Sequence, residues 1–395
     1  MISISDLDLQ IEQCLNEWFL GEIFSGDLLQ LQNAIKFLNL KCSHPNVITI
    51  AGTNGKGETA FWVEKILNKH HRTMLWTSPH LICVKERIKI NGERISSQEL
   101  LHQMLLIKNK LLDFKVSYYE FLFLVFISLM NKYQPEYLIL EVGLGGRLDA
   151  VNLFDAKLVL IPSISRDHTK ILGEKLSQIA MEKWGVVRPD SIVKSNLELK
   201  YIDQIYQEHA DKLKIDYKNV YDRGLKFNAQ NKNLAIKGLE SIGIKMIDNF
   251  PGENPDQRGR LSGVNYQFYG SHNCDGVRKL VHFLCSKNYT NPINSILVSF
   301  SERPEKEILT MLKIIKQLRS KNVKLFLTEF EHPKAMKGLN KYTDNEIDWI
   351  EWKKLLDDPS SKEKNIIVFG SYYFIGIVQR YFLIKNSSER ITTRS

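Results

Sequence analysis

An apolar, β-branched run, Val47-Ile-Thr-Ile50, breaks into Ala51-Gly-Thr-Asn-Gly-Lys-Gly57 and then opens a helical pattern near Glu58. A strand that turns through glycines into a helix, with another strand following at 74–76, is a βαβ unit, and that unit implies a parallel sheet with ligands at the carboxyl ends of its strands. Glycines at 52, 55 and 57 let successive backbone N–H groups turn towards one anion, the helix start adds partial positive charge, and Lys56 can reach terminal phosphates. Gly52, Thr53, Asn54, Gly55, Lys56 and Gly57 are therefore candidate nucleotide contacts. The spacing departs from the common G-x-x-x-x-G-K loop, since Ile50 stands where its first glycine belongs. A glycine-rich turn that binds nothing is the competing reading.

Loops of this kind place Ser or Thr just after the lysine region, putting a hydroxyl on magnesium. Here Glu58 holds that place. A carboxylate about 4 Å from a triphosphate costs roughly 1 to 4 kcal/mol, depending on screening. Glu58 either intrudes on the phosphates, points outward to stabilise the helix start, or binds the metal directly. Thr59 is a substitute hydroxyl, one position late.

At 395 residues the chain fits two or three domains, each able to bury a core. Its net charge of +9 suits polyanionic ligands, but the charge is spread without long Lys/Arg runs or an aromatic-basic repeat, which argues against a nucleic-acid partner. Five cysteines form no C-x-x-C pair and no metal-ligand spacing, as in a reduced, cytosolic protein. The first residues lack a signal-like pattern, and the longest apolar stretch, 121–130, is far short of the roughly 20 residues that span a bilayer. A cytoplasmic protein without a membrane partner is expected.

Residues 1–45 read as helical. Further strands are expected at 137–141 and 157–161, and helices at 97–112, 119–133 and 175–185, with an Asn-Gly turn inside 86–95. Glu141 ends its strand beside a glycine turn, where it holds Mg²⁺ or serves as a turn or N-cap carboxylate. His168 falls just past the next strand end, as a ligand or a structural histidine. Residues 190–258 are the least legible, apart from a helix at 231–242 and a Gly/Pro/Asn-rich linker at 249–259. The α/β pattern then restarts, with strands near 265–269, 295–300, 323–328 and 365–369, helices to 286, at 305–319 and at 345–356, and a disordered tail at 386–395. The expected domains are 1–258 and 259–395.

Taken together, Ala51-Gly-Thr-Asn-Gly-Lys-Gly57, Thr77-Ser-Pro-His-Leu81, Glu86-Arg-Ile-Lys-Ile-Asn-Gly92, Leu140-Glu-Val-Gly-Leu-Gly-Gly-Arg-Leu-Asp-Ala150, Asp167-His-Thr169 and Glu182-Lys-Trp-Gly185 resemble the folylpolyglutamate synthase / dihydrofolate synthase family, a branch of the Mur ligases. The resemblance covers nearly the whole chain and implies an N-terminal, P-loop-type Mur ligase central domain with a mainly parallel sheet and a smaller, Rossmann-like C-terminal α/β domain. It implies a monomeric ATP-dependent ligase that uses Mg²⁺ and joins L-glutamate to dihydropteroate or a folate through an acyl phosphate. Lys56 would then meet the phosphates, and Ser78, Glu141 and His168 the magnesium. Lys183 would be the lysine that the family carbamylates into a metal-binding carboxylate. Lys56, His168 and Lys183 are the catalytic candidates.

The chain also departs from the family. The family's Asp-Gly-Ala-His-Asn-Pro appears as Tyr269-Gly-Ser-His-Asn-Cys274, keeping His272 and Asn273. Its His-Gln-x-x-Asn keeps only Gln230 and Asn233, and its Trp-Pro-Gly-Arg is reduced to Arg258-Gly-Arg260. Gln230, Asn233, Arg260, His272 and Asn273 are the remaining nucleotide contacts that the resemblance implies. Pro162, Ser165 and Arg166 replace the usual Thr, Gly and Leu, and Glu305-Lys-Glu307 replaces Asp-Lys-Asp. A divergent, working ligase and a catalytically impaired folate- or nucleotide-binding paralogue are the two readings of such a chain.

Overall fold

The β-branched run at 47–50 is the middle of a sheet in the computed structural model of the chain. Residues 5–19, 27–111, 114–245, 266–286, 289, 292–321, 323–358 and 365–392 are described, and they divide between a larger unit within Ile4–Asp256 and a smaller one within Gln257–Ser395.

The larger unit runs α1 (Asp6–Trp18), α2 (Leu29–Phe37), β1 (Val47–Ile50), α3 (Lys56–Leu67), β2 (Thr73–Trp76), β3 (Ile88–Ile90), β4 (Glu93–Arg94), α4 (Ser97–Lys110), α5 (Tyr118–Tyr133), β5 (Tyr137–Glu141), β6 (Leu158–Ile161), α6 (Thr169–Leu172), α7 (Leu176–Trp184), β7 (Ile192–Ser195), α8 (Lys200–Leu213), β8 (Asp216–Asn219) and α9 (Phe227–Ser241). Its sheet has the order β4-β3-β2-β5-β1-β6-β7-β8. Only the β2-β3 and β3-β4 pairs of this sheet are antiparallel, and β3 and β4 are joined through the Asn91-Gly92 turn that the sequence predicts.

Central strands of a sheet covered on both faces are apolar throughout, and all four residues of β1 are buried. Val47 faces a core with Phe121, Phe123 and Phe126 of α5. Ile48 and Ile50 face Trp62 and Val63 of α3 and Leu234 and Leu239 of α9. Helix α5 is buried along most of its length and starts at a reciprocal capping box of Ser117 and Glu120. Helix α3 begins at Lys56, two residues before the sequence pattern suggested, because Gly55 takes the left-handed conformation at its N-cap, φ 88°. The hard-to-read region from 190 contributes two parallel strands and two helices. The linker expected at 249–259 lies outside the described residues.

The smaller unit runs β9 (Tyr266–Tyr269), α10 (Cys274–Cys285), β10 (Ser295–Ser299), α11 (Glu305–Ile315), β11 (Lys324–Leu327), β12 (Asp348–Trp349), α12 (Trp352–Asp357), β13 (Ile366–Gly370) and α13 (Tyr372–Thr392). Its strands form one parallel sheet, ordered β12-β11-β10-β13-β9. Two expectations are corrected here. The helix expected at 345–356 begins only at Trp352, because the Asp344 carboxylate accepts from the N–H groups of Glu346 and Ile347 and turns the chain into β12. The tail expected to be disordered from 386 continues α13 to Thr392, a helix that buries Phe374, Ile375 and Val378.

Candidate active site

Strands β2, β5, β1 and β6 are parallel neighbours, and the chain steps across β1 in passing from β5 to β6. Their carboxyl ends form a topological switch point, where α/β sheets place ligands. The loop after β1 is stitched to the segment after β6. The Thr53 N–H donates to the Ser163 carbonyl at 2.8 Å, and the Asn54 N–H donates to Ser163 Oγ at 2.9 Å. Ser163 Oγ in turn lies 2.8 Å from the Asn54 carbonyl. Thr53 Oγ1 donates to the Ser165 carbonyl at 3.1 Å and accepts from its N–H at 3.0 Å. Ser165 thus fixes the loop through its backbone.

Two lysines meet at the loop. Lys56 Nζ donates to the carbonyls of Gly52 and Thr53 at 3.2 and 3.1 Å, and Lys183 Nζ donates to the same Gly52 carbonyl at 2.9 Å. Lys183 is 4% exposed. Burial, reinforced by the Lys56 charge, brings its pKa down to about 7. Helix α7 delivers Lys183 by packing directly on the glycine turn after β5: a Cβ on Gly146 would come within 2.8 Å of the Glu182 carbonyl. Asp149 holds that turn, accepting from the N–H groups of Gly143, Leu144 and Val151 at 2.9–3.1 Å. It also accepts from the Tyr119 hydroxyl at 3.1 Å, which in turn accepts from Trp76 Nε1. Burial raises the Asp149 carboxyl above its ordinary range.

Ser78 and Glu141 are in contact at this edge, where the Ser78 N–H donates to Glu141 Oε2 at 3.1 Å. Glu141 is buried. Ser78 Oγ is shielded from solvent and makes no hydrogen bond among the described residues, which leaves its lone pairs for a ligand. A hydroxyl beside a carboxylate is an oxygen donor set suited to Mg²⁺. Among the described residues no three His, Cys, Asp or Glu side chains gather into a metal site, so a cation here draws on the serine as well. His168 sits at φ 50° at the start of α6, its N–H donating to Asp167 Oδ1 at 3.0 Å.

Glu58 lies in the first turn of α3, buried, and its Oε2 accepts from Asn231 Nδ2 of α9 at 2.7 Å. Asn231 also covers Gly55, where a Cβ would come within 2.7 Å of its amide oxygen. The sequence reading missed Asn231. Its signal was a polar residue on the buried face of a helix, in helical register with Leu234, Ala235 and Leu239. Gln230 and Asn233 hold the loop that precedes α9: Gln230 Nε2 donates to the Asp222 carbonyl and Asn233 Nδ2 to the Val220 carbonyl. Arg260 lies outside the described residues.

In the smaller unit, Asn273 caps α10 by accepting from the Gly276 N–H at 2.9 Å. The His272 ring bonds the Gly270 carbonyl at 2.9 Å and lies 4.9 Å from the Tyr372 ring. Both residues stand just past the carboxyl end of β9.

No family model matches the chain. The dihydrofolate synthase/folylpolyglutamate synthase of Buchnera aphidicola subsp. Schizaphis graminum is 38% identical over 192 residues, which is 48% of this chain and 46% of that protein. Its counterpart in Haemophilus influenzae is 33% identical over 224 residues, 55% of this chain and 51% of that protein. In these matches the chain spans about half the length of its relatives. The Bacillus subtilis dihydrofolate synthase/folylpolyglutamate synthase is 25% identical over 88% of this chain and 93% of its own. Among solved structures, the bifunctional folylpolyglutamate synthase/dihydrofolate synthase of Yersinia pestis complexed with AMPPNP and Mn ion has a TM-score of 0.76 at 24% identity, covering 95% of this chain and 98% of that one. Mycobacterium tuberculosis folylpolyglutamate synthase complexed with ADP and AMPPCP has a TM-score of 0.76 at 20% identity, with the same coverage. These two likenesses show a shared fold.

Proposed function

We propose that the chain is a member of the dihydrofolate synthase/folylpolyglutamate synthase family, to which its relatives at 33–38% identity belong, and that it is an ATP-dependent ligase joining L-glutamate to dihydropteroate or a folate. The γ-phosphoryl group of ATP passes to a carboxylate oxygen of the acceptor, releasing ADP. The amino group of glutamate then attacks the acyl carbon, the C–O bond to phosphate breaks, and an amide and inorganic phosphate remain. Such chemistry rests on positioning and on neutralising the phosphoryl charge.

The observation that carries this reading is the buried Lys183 amine on the carbonyl of the loop glycine that also holds Lys56. In this reading Lys56 leaves the carbonyls of Gly52 and Thr53 to pair with phosphate, and the N–H groups of Gly55, Lys56 and Gly57 at the start of α3 cradle it, while those of Thr53 and Asn54 stay on Ser163 and hold the loop in shape. Lys183, with its lowered pKa, provides the neutral amine that takes up carbon dioxide as a carbamate. Ser78, Glu141 and His168 would hold Mg²⁺, whose chemistry when bound is to neutralise the phosphate oxygens. Gln230 and Asn233 support the nucleotide site by way of the loop they anchor; Arg260, His272 and Asn273 are candidates on the family resemblance alone. We place the domain division at 258/259 and the protein in the cytoplasm as a monomer, without a membrane or nucleic-acid partner.

The impaired-paralogue reading draws on Glu58 and on Tyr269 in the place of the family's aspartate. ADP release by the purified protein with MgATP, glutamate, bicarbonate and either dihydropteroate or tetrahydrofolate separates the two. Release that requires both the pterin and glutamate, and that disappears in Lys56→Ala, is the expected result. A folded protein that releases no ADP with either acceptor overturns the ligase.

A further inference from the structure

The carboxylate of Glu58 occupies a position from which it would compete with phosphate for the start of α3, yet it is buried and bonded sideways to α9. We infer that Asn231 is a positioning residue that clamps Glu58 against α9, keeping the N-terminus of α3 open for the nucleotide's phosphates. This inference rests on the nucleotide-binding reading above and assigns a role to a residue that no family motif singles out.

Three features carry it. The amide of Asn231 donates to Glu58 Oε2 at 2.7 Å, across 173 positions of sequence. Asn231 is fully buried, so its side chain has one environment, the surface between α3 and α9. It also packs on Gly55, the left-handed residue that ends the loop, at a distance that leaves no room for a Cβ. The clamp therefore touches both the acid it restrains and the turn that aims the backbone N–H groups. A carboxylate near the start of a helix is attracted to the same partial positive charge that would bind phosphate. Holding it from the side removes the competition, and the acid still complements the helix dipole. The substitution at 58 is thus accommodated through a residue of another helix.

The test is a double-mutant cycle on the full chain, read by calorimetric titration with MgADP and, where turnover is found, by KM for ATP against kcat. The variants are Asn231→Leu, which keeps the branching and the number of heavy atoms and removes the amide, Glu58→Thr, and the two combined. Asn231→Leu is expected to weaken MgADP binding by about ten- to hundredfold, the equivalent of a lost hydrogen bond to a charged group, with the loss in KM rather than kcat. Glu58→Thr in the same chain is expected to restore the affinity to within about threefold of Glu58→Thr alone, because the competing charge is gone. A purely packing role for Asn231 would leave the combined variant as weak as Asn231→Leu, which overturns the inference, as does unchanged binding by Asn231→Leu. If the leucine variant does not fold, Asn231→Ser is judged by the same criteria. Absence of glutamyl transfer by the wild-type protein, with the coupling intact, would refute the ligase and leave the clamp standing. Turnover without coupling would do the reverse.

Discussion

Lys183 is a helix lysine whose amine lies under the loop at Gly52 with almost no solvent around it. Burial first, and the Lys56 charge second, bring its pKa to about 7 from an ordinary 10.5. Between those values the unfolded chain binds the proton and the folded chain does not, so stability rises with pH over that window. Below pH 7 the folded protein carries the full penalty of the buried charge. Lys183→Met has no such penalty, so its melting temperature relative to wild type is expected to be highest near pH 6 and to fall steadily towards pH 10. A difference that does not change with pH would contradict this environment for Lys183. The sequence made the glycines and Lys56 legible because loop, helix start and lysine lie within one short segment. It could not reveal that Lys183 is buried, or that Asn231 meets Glu58, since both facts depend on packing between distant segments.

At the scale of elements, α1 is pinned by one buried acid. Asp8 accepts from Ser5 N–H and Oγ and from Ser97 Oγ of α4, each at 2.9 Å, and pairs with Lys85 at 3.0 Å. Burial alone would raise its carboxyl, but the bond from the Ser5 N–H and those from Lys85 and Ser97 outweigh it and hold the pKa below the ordinary 3.8. A lowered carboxyl contributes stability above its unfolded pKa and loses it as the pH falls through the folded one. Asp8→Asn is therefore expected to cost about 1–3 kcal/mol near neutral pH in denaturant titrations, and less below pH 3. An equal cost at pH 7 and at pH 3 would contradict the account. The helical pattern of residues 1–45 announced α1, but not the acid that fixes it. The helix expected at 345–356 shows the converse limit, since an Asx turn at Asp344 outweighs its apolar pattern.

For the whole molecule, each unit is built on a mainly or wholly parallel sheet, a class legible from fully apolar strands alternating with helices. The segment from 190 resisted because β8 carries Asp216, Lys218 and Asn219 in place of an apolar run, as an outermost strand can. Strand order brings together Lys56, Ser78, Glu141 and Lys183, whose motifs stand apart in sequence, and it is on this edge that the ligase proposal rests. Its most direct test is the mass of the acceptor recovered after incubation with MgATP, bicarbonate and isotopically labelled glutamate. We expect dihydropteroate or tetrahydrofolate to gain a labelled glutamyl residue, and Lys183→Ala to abolish the gain. A folded protein that binds MgADP but leaves both acceptors unchanged would contradict the account and favour a binding paralogue.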